Sequence, residues 1–345
     1  MAEKVILTKT ERIGYIDLFR SFGIIFMIMG HVAFGNIFNV FIHAFHMPMF
    51  FFISGYLFKK RERKEQSFGS LVLKKAKTLL LPYLVFGLFC YSVKLFESLA
   101  EHKTIEIEPL FHLFWVNTDK IAICGAVWFL TALFFTDIIF FLLDRYVAGE
   151  KTKAVIVIAI AVFGCFANKI LPFELPFALA QSFVGLGFYY IGSLFKKFEE
   201  KKAVGFVLNL SWPLTAVFGV AATALIFVNG YVNMRTGEYN IVPLFWLNAV
   251  LATVVLLNFS RLIYKFLKTG FIGKRLSEIG KNSIVYLCFN QLAIRTFEKF
   301  IFVDESFPTV SKLLLKILIF VLSMAMLFLI EKLITKTKLR VLVGK

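Results

Sequence analysis

Apolar runs of the length that crosses a bilayer, about 18 residues or more, follow one another along this chain with short polar segments between them. They predict membrane helices near 14–35, 40–58, 79–97, 121–143, 154–170, 176–195, 204–229, 241–259, 282–303 and 310–333. Between the eighth and ninth runs the pattern changes. From Ser260 to Lys281, the apolar Leu262, Ile263, Phe266, Leu267 and Phe271 interleave with Arg261, Lys265 and Lys268. That spacing predicts an amphipathic helix lying along the membrane interface among lipid headgroups. No polar stretch is long enough to bury a core of its own, and no inverted repeat of the kind found in many transporters is visible. The expected fold is therefore all-α: one polytopic transmembrane bundle of about ten helices over residues 1–345, with residues 260–281 as an interfacial segment within it.

Composition strengthens this reading, with 59% hydrophobic residues, 44 phenylalanines and a mean hydropathy of +0.78. A net charge of +17 invites nucleic acid as a partner, but its distribution argues against one. The cations cluster between apolar runs, at Lys59 to Lys64, Lys74 to Lys77, Lys196-Lys197 with Lys201-Lys202, Lys274-Arg275, and Lys332 to Lys345. Glu97 to Glu108, Asn168 to Glu174, Asn229 to Asn240 and Asp304 to Pro308 carry few cations and more carboxylates. Under the positive-inside rule the first set is cytoplasmic and the second faces outward, placing both termini inside a cell membrane that the chain crosses many times. Met1 to Arg12 is polar and the first run holds Asp17 and Arg20 without a small-residue cleavage site, so a removable signal peptide is not expected. Cys90, Cys124, Cys165 and Cys288 stand singly, at no metal or redox spacing, and read as packing residues.

An ionisable residue inside a membrane helix is costly and marks a functional site by default. Arg20 and His31 share the first run. At about 100° per residue, eleven positions return to nearly the same helix face about 16 Å further along the axis. One stripe thus carries a cation in the inner half of the membrane and an imidazole in the outer half. The second run adds His43 and His46 at the outer level, with Pro48 tolerated in a first helical turn. His31 and His46 can meet across the hairpin. Imidazole is the usual proton-transfer group near neutral pH; a neutral ring bonded to a backbone carbonyl is the alternative. No carboxylate or thiolate can be placed beside these histidines, so no metal is expected.

Four further residues are assigned to the site with competing readings. Asp17, one turn before Arg20, reads as its ion-pair partner. Ser54, beside Gly55, reads first as a small residue allowing close helix packing and second as a substrate contact. Trp128 opens the fourth span, where an interfacial aromatic belt is the ordinary explanation and sugar binding the other. Arg295, in the outer half of the ninth span, is an intramembrane cation without a partner nearby in sequence.

Ile16-Asp17-Leu18-Phe19-Arg20 leading to His31, followed by Phe45-His46-Met47-Pro48-Met49-Phe50-Phe51-Phe52-Ile53-Ser54-Gly55-Tyr56, closely resembles the acyltransferase-3 family of integral membrane O-acyltransferases, particularly its fucose 4-O-acetylase-like branch. Further landmarks follow in the family's order: Lys74-Lys75 and Lys77 leading to Leu81-Pro82-Tyr83, Trp128-Phe129-Leu130, Phe183 to Gly192 with Lys196-Lys197, and Ile279-Gly280-Lys281-Asn282-Ser283. The resemblance covers roughly the whole chain. It implies transfer of an acyl group, usually acetyl from acetyl-CoA, to a hydroxyl of an extracytoplasmic or lipid-linked saccharide. It also implies that His31 is catalytic and that Arg20 contacts the donor or organises its site. The chain departs from the pattern at Asn290, where relatives commonly carry a histidine, which bears on acceptor preference.

Residue chemistry agrees with what the resemblance implies. An alcohol needs a base within hydrogen-bond reach to attack a thioester, and His31 can supply it directly or through an acyl-imidazole. Acyl-CoA is polyanionic, and the basic loops Lys59 to Lys64 and Lys74 to Lys77 offer it a favourable entrance. Two other classes remain open: a transporter or flippase for a lipid-linked sugar, without thioester chemistry, and a binding module that keeps the fold without catalysis. The orientation is testable by itself. Single cysteines placed at Glu101, Leu171, Thr236 and Glu305 are expected to react with an impermeant thiol reagent in intact cells, and one placed at Glu62 is expected to stay unlabelled until the membrane is opened.

Overall fold

The computed structural model describes residues 14–58, 67–115, 124–304 and 306–344. Three expectations fall outside these residues: the Lys59 to Lys64 loop, the N-terminal polar segment Met1 to Arg12, and the labelling positions Glu62 and Glu305. Among the described residues the chain is helical, and its sole strand-like feature is an isolated bridge between Asn233 and Glu238.

The helices are α1 (Gly14–Val32), α2 (Asn36–His43), α3 (Pro48–Tyr56), α4 (Phe68–Lys75), α5 (Leu81–Ala100), α6 (Glu108–Trp115), α7 (Trp128–Tyr146), α8 (Glu150–Ile170), α9 (Leu179–Lys197), α10 (Lys202–Leu208), α11 (Trp212–Asn229), α12 (Val242–Leu267), α13 (Phe271–Lys281), α14 (Ser283–Glu298) and α15 (Thr309–Lys336). Nine helical segments among the described residues are long and apolar enough to cross a membrane. The expected span at 282–303 is the exception. Its helix, α14, has 16 residues, about 24 Å at 1.5 Å per residue, short of a hydrocarbon core of about 30 Å.

Other boundaries moved for local reasons. The third span begins near Phe68, because α4 and α5 run on through a π turn at Ala76–Leu80. That turn precedes Pro82, which lacks the N–H of a regular ladder. The run expected at 204–229 breaks between α10 and α11. There Asn258 of α12 accepts from the Leu210 N–H (2.9 Å) and donates to the Val207 carbonyl (2.9 Å), while Arg261 donates to the Leu210 carbonyl (2.8 Å). Side chains of α12 thus satisfy backbone groups that lipid cannot. The interfacial segment expected at 260–281 is divided: Ser260 to Leu267 continue α12, with Ser260 and Leu262 buried, and the amphipathic stretch is α13 alone, with Phe271 and Ile272 exposed and Ile279 and Gly280 buried.

Contacts define two ends of the bundle. At one, Tyr56 donates to Glu199 (3.1 Å), Lys332 to Glu278 (3.1 Å), and Gly344 lies against Thr78. This end holds the basic segments around Lys74 to Lys77, Lys196-Lys197 and Lys274-Arg275. The other end gathers His31, Glu97, Asn168, Gln181, Arg235 and Arg295. Lysines at the basic end also reach into the fold. Lys75 pairs with the buried Asp137 (2.5 Å), which also accepts from Tyr189 (2.9 Å); Lys153, itself buried, pairs with Asp144 (2.7 Å).

Packing is closest where glycines let backbones touch. A Cβ on Gly55 would stand 1.8 Å from the Tyr189 carbonyl oxygen, one on Gly192 2.0 Å from that of Phe52, and one on Gly280 1.8 Å from that of Asp17. The first two lock α3 against α9 and the third locks α13 onto α1. Small residues do this in membranes because lipid tails are as apolar as leucine and association rests on close packing. Gly55→Ala and Gly192→Ala are each expected to lower thermal stability in detergent by about 1–3 kcal/mol or more. Gly69, on α4 with open space around it, is the control: Gly69→Ala should be neutral or stabilising by up to about 1 kcal/mol.

Candidate functional site

Arg20, Ile24, Met27 and His31 stand at i, i+4, i+7 and i+11 of α1, a single stripe, and that stripe runs past two cavities set end to end. Arg20 and Ile24 line one, of about 230 Å³, with Phe50, Ile53 and Ser54 of α3, Phe129, Leu130 and Leu133 of α7, and the segment Gly280 to Val285 with Leu287. Met27 and His31 line the other, of about 210 Å³, with His43, His46, Met47, Trp128, Tyr231, Asn233, Arg235 and Gln291. Neighbouring residues divide between the two. Met47, Trp128 and Gln291 face the histidine cavity, whereas Phe50, Phe129 and Leu287 face the arginine cavity, so an apolar layer one helical turn thick separates them. The arginine cavity is at the basic end of the bundle.

The hairpin turn between α2 and α3 brings His43 and His46 together, their rings 5.0 Å apart edge to face, and His43 lies 5.2 Å from the Tyr231 ring. His46 Nδ1 donates to the Ile42 carbonyl (2.8 Å) and His43 Nδ1 to the Asn39 carbonyl (2.9 Å). Both neutral rings therefore keep the lone pair on Nε2. His31 is exposed at the mouth, with Nδ1 3.4 Å from the Gln291 amide nitrogen. The mouth itself is lined by His31, Gly125, Arg235, Gln291, Ile294, Arg295 and Glu298.

The loop from Gly230 to Ile241, expected only as an outward connection, folds across this end and supplies Tyr231, Asn233 and Arg235. Asn168 donates to the Thr236 carbonyl (3.1 Å), Gln181 to the Arg235 carbonyl (2.6 Å), and Asn229 and Asn240 bond its two stems. Asn233 accepts from the Arg235 N–H (3.0 Å), closing an Asx turn, and Gly237 takes the left-handed conformation the reversal needs (φ +81°). Burial first, and then the nearby Glu238 carboxylate, push the Tyr231 phenol above its usual range, leaving it a neutral donor at physiological pH.

An acyltransferase domain model matches residues 13–332 of the chain. The protein belongs to the acyltransferase-3 family. No curated protein and no solved structure matches it. It is a multi-pass membrane acyltransferase by family and by its apolar helices.

Within this acyltransferase the residues singled out from sequence separate into groups. His31, His46 and Trp128 converge on one cavity, and Arg20 and Ser54 on the other. Trp128 is 3% exposed and forms cavity wall, where an aromatic belt facing lipid was the ordinary expectation. Ser54 Oγ donates to the Phe50 carbonyl (2.7 Å); its hydroxyl is engaged with its own helix and Gly55 makes the close contact. Asp17 is buried at the basic end, its carbonyl against Gly280. Arg295 has a partner after all, Glu97 of α5 at 3.1 Å, which also accepts from Lys299 at 2.6 Å. Asn290 is fully buried and lines neither cavity; it donates to the Leu287 carbonyl (2.6 Å), and its Oδ1 has no hydrogen-bond partner among the described residues. Three cysteines scattered in sequence also converge, Cys124 against Cys90 and near Cys288, all buried. Among the described residues no set of three His, Cys, Asp or Glu side chains is placed to hold a metal ion.

Tyr231, Asn233, Arg235 and Gln291 escaped the sequence reading. Arg235 carried one usable signal, a cation in a loop assigned to the side where cations are depleted.

Proposed function

We propose that this protein moves an acetyl group from cytoplasmic acetyl-CoA to a hydroxyl of an extracytoplasmic or lipid-linked saccharide, as in the fucose 4-O-acetylase-like branch it resembles. The observation that carries the reading is the α1 stripe, with an arginine-lined cavity at the basic end and a histidine-lined cavity at the other. The basic end is taken as cytoplasmic. Acetyl-CoA then keeps its phosphates among the lysines there and extends its pantetheine arm past Arg20 and on along the α1 stripe, through the layer at Ile24, Phe50 and Phe129, to present the thioester at the level of His31. The acceptor enters from the opposite side. His31, with His46 beside it, takes the hydroxyl proton as the oxygen attacks the thioester carbonyl. The C–S bond then breaks and the proton passes to the departing thiolate. Where the imidazole is acylated first, a C–N bond forms as the C–S bond breaks and the thiolate takes the imidazole's proton; the hydroxyl oxygen then attacks the acyl carbon, the C–N bond breaks and the hydroxyl proton returns to the imidazole. Either route places the chemistry at His31. No metal enters the scheme.

His31→Ala is expected to lower transfer by about 10²-fold or more, the usual contribution of a general base, with protein level and membrane insertion kept. Arg20→Ala is expected to raise the KM for acetyl-CoA about tenfold, the loss of one charge-assisted hydrogen bond. Release of free CoA thiol in the presence of an acceptor glycan measures both, and wild-type activity in His31→Ala would remove the assignment.

In sealed vesicles of known orientation, acetyl-CoA supplied only at the basic, cytoplasmic face should support acetylation of a glycan confined to the other face. Transfer that requires both substrates on the cytoplasmic side would overturn the crossing path and make the enzyme one that modifies a precursor before export.

A further inference from the structure

The three imidazoles of the histidine cavity are not held alike. His43 and His46 each donate Nδ1–H to the carbonyl four residues back, that of Asn39 (2.9 Å) and that of Ile42 (2.8 Å). A carbonyl only accepts, so the tautomer of both rings is fixed. His31 makes no such backbone bond among the described residues. Its Nδ1 meets the side-chain amide of Gln291, 260 positions on in α14, with the amide nitrogen at 3.4 Å. The titratable and charged side chains that share this space are His43 and His46 of the hairpin, Tyr231 and Arg235 of the loop, and Arg295 and Glu298 of α14. Among the described residues, Gln291 is the hydrogen-bond neighbour of the His31 ring.

A base at His31 needs a lone pair on the nitrogen that meets the hydroxyl. Nδ1 is turned to Gln291, so that nitrogen is Nε2, and the proton of the neutral ring then sits on Nδ1 and needs an acceptor there. Gln291 carries one. Its Oε1 is buried and has no hydrogen-bond partner among the described residues, a state that costs about 1–3 kcal/mol. A half-turn of the amide exchanges its nitrogen and oxygen at nearly the same positions and brings Oε1 onto Nδ1–H. The amide therefore suits either tautomer: nitrogen toward Nδ1 goes with the proton on Nε2, and oxygen toward Nδ1 goes with the lone pair on Nε2.

We propose that Gln291 is the positioning residue of His31, its Oε1 accepting from Nδ1–H so that the lone pair stays on Nε2, where the hydroxyl proton is taken. Resting on the reading of His31 as the base, this assignment adds the group that makes it one. Gln291 stays neutral throughout, and its hydrogen bond to Nδ1–H strengthens as the ring becomes imidazolium. Where Nε2 is acylated first and the thiolate takes the Nδ1 proton, Nδ1 becomes an acceptor and the amide nitrogen turns back to it. Both faces of the amide are then used in one cycle.

Reading the tautomer directly keeps the test independent of acyl transfer. Full-length protein carrying nitrogen-labelled histidine is observed by nitrogen NMR in lipid bilayers, and the signals of His31 are identified by their loss in His31→Asn. At a pH where the ring is neutral, the wild-type protein is expected to show a protonated Nδ1 and a bare Nε2, and Gln291→Leu a mixture of tautomers. Gln291→Glu, which presents an oxygen at both amide positions, should keep the proton on Nδ1. In the transfer assay Gln291→Leu is expected to lower kcat about tenfold, one hydrogen bond to a group that becomes charged, with the KM for acetyl-CoA unchanged. Gln291→Glu should recover kcat, with the acid limb of the rate profile moved to higher pH because a carboxylate favours the imidazolium. A proton on Nε2 of His31 in the wild-type protein overturns the proposal, as does an unchanged tautomer in Gln291→Leu or an acid limb that Gln291→Glu leaves in place. The expected tautomers in a protein transferring no acetyl group would leave Gln291 as the partner that sets His31 and remove the proposed reaction.

Discussion

The arrangement of this protein depends on backbones in direct contact. Inside lipid there is no hydrophobic gain from pressing two helices together, so a fixed geometry needs surfaces that fit closely. Gly55 and Gly192 place α3 on α9, and Gly280 places the α13–α14 junction on α1 at Asp17. The first contact sets the depth of His46 at one end of α3 and Ser54 at the other. The second fixes the start of α14, and with it the distance between Arg20 and the Lys281-Asn282-Ser283 segment and between His31 and Gln291. Both cavities inherit their shape from three glycines.

Buried polar groups supply the second layer of order. Asp137 with Lys75 and Tyr189, and Asn282 donating to the buried Glu331 (2.5 Å), join segments distant in sequence, and Lys153 with Asp144 joins two successive helices. An unpaired charge in such surroundings costs several kcal/mol, about 3–5 when one partner is removed. These pairs therefore specify which helices are neighbours more than they add net stability. They also change the meaning of the basic clusters: Lys75 belongs to one of them, yet its charge is directed inward, toward Asp137.

The two ends of the bundle differ in chemistry. The arginine cavity is mostly apolar beyond Arg20 and the polar start of α14, a setting for the uncharged arm of a carrier. The histidine cavity is ringed by imidazoles, amides and a guanidinium, groups that hydrogen-bond hydroxyls. The stripe of α1 is continuous from one cavity to the other.

The sequence by itself determined the membrane-embedded helical class, most of the spans, the stripe from Arg20 to His31, and the approach of His46 to His31. These follow from local rules: hydropathy over about 20 residues, helical periodicity, and the expense of an ionisable group in hydrocarbon. Only the tertiary structure decided the rest. It shortened α14, split the stretch from 204 to 229 where Asn258 and Arg261 satisfy the broken backbone, gave Arg295 its partner in Glu97, and buried Asn290 away from both cavities. Above all it folded the Gly230 to Ile241 loop over the histidines and delivered Arg235. The contacts of Asn258, Arg261, Arg295 and the loop join residues tens to hundreds of positions apart, and spacing along a chain carries no record of which distant side chain will satisfy a buried polar group.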